Sequence, residues 1–113
     1  VAINPLSVND AYTGRRFTSR DYKAYKKELF LRLPAKYEVP NGGLKICLEF
    51  GMSNAGADAD NPIKPLVDIL QKKYGFNDNR VYRYEVDKVI VKKGFEYVKF
   101  KITTLEGLAL PNP

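Results

Sequence analysis

The sequence predicts an α/β protein of the α+β type, a single domain over residues 1–113 in which two main helices pack on a small mixed sheet that includes an antiparallel hairpin. Three observations predict it. Leu44, Ile46, Leu48, Phe50 and Met52 alternate with Lys45, Cys47, Glu49 and Gly51, the period of a half-buried strand. One other stretch carries apolar residues at helical spacing, and Asn61-Pro62 has the form of a second helix start. Two segments rich in Val, Ile and Tyr flank Lys92-Lys93-Gly94, as the arms of a hairpin flank a turn.

In chain order, Asn4 to Arg16 holds Pro5, Gly14 and several Asn, Ser and Thr residues without an apolar period, and reads as a long loop. Thr18 or Ser19 then caps a helix whose apolar positions are Tyr22, Tyr25, Leu29 and Leu33, ending before Pro34. Pro40-Asn41-Gly42-Gly43 is a turn into the strand from Leu44 to Met52. Small and polar residues from Ser53 to Asp60 form a loop. Asn61-Pro62 has the form of an N-cap followed by proline at the first helical position, so a second helix runs to about Tyr74 and stops at Gly75. Asn77-Asp78-Asn79 turns the chain into the first hairpin arm, Val81 to Val91, and the second arm runs from Phe95 to Thr103. An irregular tail follows.

At 113 residues, with 44% hydrophobic and 28% charged positions, the chain has the composition of a globular protein able to bury one core. Nineteen Lys and Arg against thirteen Asp and Glu give a net charge of +6, which suits a polyanionic partner or simply a soluble surface. There is no histidine, so a Cys-His nucleophile pair is excluded, and the lone Cys47 reads as a strand residue. One cysteine allows no internal disulfide and no thiolate cluster, which fits a reducing cytoplasm. No segment approaches the roughly 20 apolar residues that span a bilayer, and no membrane partner is expected.

The residues with a chemical reading are Asp58-Ala59-Asp60-Asn61-Pro62-Ile63-Lys64. In an extended segment, positions i and i+2 point to one side, so Asp58 and Asp60 can offer oxygens to one hard cation, for which magnesium is the natural choice. Lys64 falls in the first turn of the following helix, where the helix dipole also favours negative charge. Carboxylates for a metal beside a cation for phosphate are the parts of a phosphodiesterase. The plainer reading is equally concrete: Asp60 and Asn61 cap a helix, Asp78 sits in a turn, and Lys64 is solvated. An EF-hand is excluded, because its sixth-position glycine and terminal glutamate are missing.

The segment resembles the signature of the RusA-type Holliday junction resolvases, Asp-x-Asp-Asn-x-x-Lys at a helix start, with every defining position filled. A second motif of that family, Pro-x-Ser-x-Asn-x-x-Tyr, stands here as Pro5 to Tyr12, and Gly75-Phe76-Asn77-Asp78-Asn79-Arg80-Val81 is similar to its Gly-x…Asp-x-x-Val turn. The turn is shorter than in familiar members, and Asn77 stands where they often carry a second acid. The resemblance covers about Asn4 to Ile102. It implies a homodimeric, magnesium-dependent endodeoxyribonuclease, with manganese as a substitute, that nicks four-way and other branched DNA in recombination and repair, in the cytoplasm of a bacterium or of a phage-infected cell. It makes Asp58, Asp60 and Asp78 the metal ligands and Lys64 their catalytic companion. Contacts to DNA would fall to Asn9, Arg15, Arg16, Arg20, Lys23 and Lys27, with Lys26 and the Lys72-Lys73 and Lys92-Lys93 pairs as further basic groups. The alternatives are a non-catalytic basic nucleic-acid-binding module and a basic protein whose partner is another protein.

Overall fold

The computed structural model describes residues 1–5, 19–56 and 62–105. Helix α1, Ser19–Arg32, precedes strand β1, Leu44–Met52; helix α2, Ile63–Tyr74, leads through a short 3-10 turn at Asp78–Arg80 into β2, Val81–Ile90, and β3, Tyr97–Thr104, closes the order. Among the described residues, two α-helices and a three-stranded mixed sheet make a small α+β fold, as expected.

The sheet is built around β1. Its even positions, Leu44, Ile46, Leu48, Phe50 and Met52, are all buried, and they meet Val98 and Ile102 of β3 with Leu29 of α1, Leu33 just after it, and Leu66, Val67, Ile69 and Leu70 of α2 in one core. The apolar spacing that builds each helix is therefore also what docks it. Pro65 is tolerated in the first turn of α2 because a first-turn N–H has no partner inside the helix. Gly75 ends that helix at φ +71°, a left-handed conformation that favours glycine, and its N–H bonds to the Gln71 carbonyl. The helix begins one residue later than expected: Pro62 itself holds the capping position, with no side-chain cap, and Asn61 lies outside the described residues.

The hairpin is the larger correction. Strand order is β2-β1-β3, so β2 and β3 lie on opposite sides of β1 and never pair. β2 runs parallel to β1, with Leu48 beside Val86, and β3 runs antiparallel to it, with Leu48 beside Phe100. Parallel neighbours need a crossover, and the chain from Met52 to Val81, α2 included, supplies it. The connection from β2 to β3 then crosses the end of β1, where the Val91 N–H bonds to the Met52 carbonyl at 2.9 Å. Glu96 fastens this crossing by accepting from the Ser53 hydroxyl and the Gly94 N–H, each at 2.8 Å. Gly94 has φ +96°, so the turn chemistry at Lys92-Lys93-Gly94 is real. The strand with the most apolar face takes the centre, where both of its edges are paired.

Candidate nucleic-acid and metal site

Of the residues assigned a role above, Asp58, Asp60, Asn9, Arg15 and Arg16 lie outside the described residues. Lys64, Asp78, Arg20, Lys23 and Lys27 are described, and all five are exposed.

Lys64 stands in the first turn of α2, with its ammonium 3.6 Å from the carboxylate of Asp68 one turn on. The lysine is well solvated and Asp68 is half-buried, so the pair is a modest surface interaction that leaves Lys64 able to turn toward another anion. Asp78 begins the 3-10 turn beyond the far end of α2, where its N–H is held by the Gln71 side chain at 2.8 Å. Twelve residues of helix, about 18 Å, separate the two ends. Asp78 and Lys64 are linked only indirectly. Tyr84 of β2 has its hydroxyl pushed up by burial first and then by the charges of Asp78 and Asp68, so the three groups share one field. Among the described residues, no three acidic or thiol groups gather closely enough to hold a metal ion.

The basic residues are more ordered than their sequence positions suggest. Arg20, Lys23 and Lys27 recur at i, i+3 and i+7 and share one stripe of α1. Lys23, Lys26, Lys27, Phe30 and Leu31 of α1 and Ile69 and Lys72 of α2 line an open groove between the helices, of about 440 Å³. Its lining mixes four lysines with three apolar side chains. Lys26 stands 5.0 Å from the centre of the Tyr22 ring, which holds its stem against the helix. Eight residues, about 12 Å of helix, carry the chain from Lys64 to Lys72 on the same broad side of α2.

Lys72 and Lys73, one pair in sequence, separate. Lys72 lines the groove, whereas the Lys73 ammonium donates to the Phe30 carbonyl and, at 2.8 Å, to that of Leu33, satisfying the C-terminal end of α1. Lys73 is a brace between helices. Cys47 also takes the structural reading: its thiol faces Glu85 at 3.5 Å and is pushed up by burial and then by that carboxylate, so little of it is a nucleophilic thiolate.

Two features of the site were not foreseen from sequence. Asp68, the partner of Lys64, was signalled by Lys64-x-x-x-Asp68, an i, i+4 ion-pair spacing. The meeting of Lys72 with the lysines of α1 had no local signal, since it depends on how two helices lie against each other.

Neither a family model nor a curated protein matches this chain.

Proposed function

We propose that the chain is a metal-dependent endodeoxyribonuclease acting on branched DNA, four-way junctions foremost, as a homodimer. The observation that carries this reading is the segment Asp58-Ala59-Asp60-Asn61-Pro62-Ile63-Lys64, which runs directly into the first turn of α2, where Lys64 is exposed. The cationic groove along α1 and α2 supports it from outside the motif.

The donor chemistry fits magnesium or manganese, since two carboxylates offer hard oxygen ligands. Asp58 and Asp60 would hold the ion; Asp78 matches the family's third ligand by motif alone, since it stands beyond the end of α2 far from Lys64. When bound, the ion would supply polarisation of a phosphate oxygen and a water acidic enough to attack. The protein's own part is positional and electrostatic. Lys23, Lys27 and Lys72 hold phosphates along the groove, and Lys64 counters the charge that gathers at the attacked phosphate. Giving up its contact with Asp68 costs Lys64 little, because that pair is solvent-screened.

Incubation of labelled four-way junction with wild type and Asp60→Asn, with and without magnesium, tests the reading. Asp60→Asn is expected to keep binding and to lose cleavage by at least a hundredfold, on the order of the loss of one transition-state contact. Equal cleavage by both proteins would remove the catalytic assignment. The lysine groove by itself also suits a binding module, and junction binding without wild-type cleavage in magnesium or manganese would favour that reading.

A further inference from the structure

Leu31 is 71% exposed, and it stands among lysines. It lines the groove between α1 and α2 together with Lys23, Lys26, Lys27, Phe30 and Lys72. A second hollow of about 470 Å³ is lined by Ala24, Lys27, Glu28, Leu31 and Arg32, so Leu31 and Lys27 are common to both. In that hollow Glu28 and Arg32 pair with each other at 2.5 Å, which leaves Lys27 to set its charge.

Helix stability does not account for this grouping. Lys23 and Lys27 are i, i+4 neighbours of like charge, an arrangement that weakens a helix, and Lys26 and Lys72 add two more ammoniums to the same lining. Among the described residues, none of the four has a carboxylate within ion-pair distance. An exposed leucine likewise contributes little to folding, since its gain comes from burial. Lysines without counter-charge beside an uncovered leucine suit a partner that brings carboxylates and apolar side chains together.

The nearby aromatic rings argue against a nucleic-acid base in that place. Phe30 packs against the core and has the Lys73 ammonium 4.9 Å from its centre, and Tyr22 has that of Lys26 at 5.0 Å. Cations already cover these rings, whereas unpaired bases stack on open ones. A phosphate backbone would match the ammoniums and leave Leu31 uncovered.

We propose that the groove docks a short acidic segment of a partner protein, one that carries leucine or phenylalanine among its carboxylates. The carboxylates meet Lys23, Lys26, Lys27 and Lys72 while the apolar side chains cover Leu31. Such a segment occupies the lysines that a DNA backbone would use, so the two compete. The inference rests on the groove alone and not on any nuclease chemistry.

Fluorescence anisotropy of the full chain tests it, with a fluorescein-labelled peptide in which two leucines and a phenylalanine lie among aspartates. A control peptide has serine at the apolar positions. The first is expected to bind in the micromolar range and the control at least roughly tenfold more weakly, the factor that burying one large apolar side chain supplies. Leu31→Ser, at an exposed position that should leave the thermal midpoint in place, should weaken the first peptide by a similar factor. Lys27→Glu/Lys72→Glu should abolish binding of both peptides. Amide shifts of the labelled protein should move at Lys27, Leu31 and Lys72 as the first peptide is added. No binding of that peptide, a Leu31→Ser variant that binds it like wild type, or shifts centred on the sheet would each overturn the proposal. Equal binding of the two peptides would also overturn it and leave the lysines to phosphate. Peptide binding by a chain that cuts no DNA would sink the nuclease and spare the groove; junction cleavage without peptide binding would do the reverse.

Discussion

The outer edges of β2 and β3 are made of the same backbone, yet the protein treats them differently. On β3 the outward groups of Val98 exchange two hydrogen bonds with Val1, at 2.8 and 2.9 Å. Two pairs further on, the Tyr37 hydroxyl accepts from the Ile102 N–H at 2.9 Å and donates to the Ile102 carbonyl at 3.2 Å. Tyr37 is held in turn against Tyr74 and Phe100, with ring centres 5.6 and 5.0 Å away. One edge is therefore closed with Val1 and a tyrosine side chain, while the other presents Tyr82, Tyr84 and a run of charges. An edge that is to stay solitary is blunted, and an edge left long and exposed is a place for a partner.

The comparison breaks entirely if its common support is removed. Phe50 of β1 is fully buried between the edge strands, paired with Lys88 on one side and Val98 on the other. Phe50→Ala is expected to lose about 3–5 kcal/mol of stability in chemical denaturation, a large share of what a small domain has. Both edges should fail together, in one transition. Loss of protection on β2 alone in hydrogen exchange would show that the strands are not joined through this residue.

A matched pair of tyrosine substitutions sharpens the contrast. Tyr37→Phe deletes the hydroxyl that serves both groups of Ile102, leaving a half-buried N–H and C=O without that partner, and should cost about 1–3 kcal/mol. Tyr84→Phe, on an exposed site of the open edge, should stay within about 0.5 kcal/mol of wild type. Thermal melts of the two variants beside wild type read both. Equal losses would mean that the closed edge gains nothing from its tyrosine.

What could be read beforehand follows the same division between local and distant causes. The strand at Leu44–Met52 was legible because period-two alternation is a local consequence of one buried face, the first helix because Tyr22, Tyr25, Leu29 and Leu33 repeat at helical spacing, and the second because Asn61-Pro62 and Gly75 mark its ends. The turn at Gly94 was legible too, but a turn does not say which strand lies between its arms. Leu44–Met52, α2 and Val81–Ile90 already formed a strand-helix-strand unit in sequence, and that pattern outranked the turn. In the candidate site, Lys64 and its place in the first turn of α2 were legible from Asn61-Pro62 just before it. The roles of Lys73 and Tyr37 were not. Each reaches a backbone group far along the chain, 40 or more residues away, and no local pattern records that.

The smallest effect concerns the closed side of the sheet and depends on pH. Gly51 of β1 lies opposite Tyr97 of β3, and the ring lies so close that a Cβ on Gly51 would stand 2.4 Å from it. The absent side chain lets the ring fold over β1 and donate its hydroxyl to Glu49 at 2.5 Å, with Lys99 at 3.6 Å from the same oxygen. The Tyr97 hydroxyl, and then Lys99, hold the Glu49 carboxyl below the usual range against an opposing push from partial burial. A depressed carboxyl stabilises the fold above its unfolded value, near 4.3, and loses that contribution as pH falls through the folded value. The Tyr97 hydroxyl is raised by the bond to Glu49, then by burial and by the carboxylate charge, so its contribution is complete below about 10 and fades as pH climbs past the folded value. The pair therefore stabilises over a plateau between these limits. Thermal midpoints of wild type and Glu49→Gln should differ most on the plateau and converge at both ends. Curves that run parallel from pH 3 to pH 11 would show that Tyr97 is placed by its packing on Gly51 and draws nothing from the carboxylate.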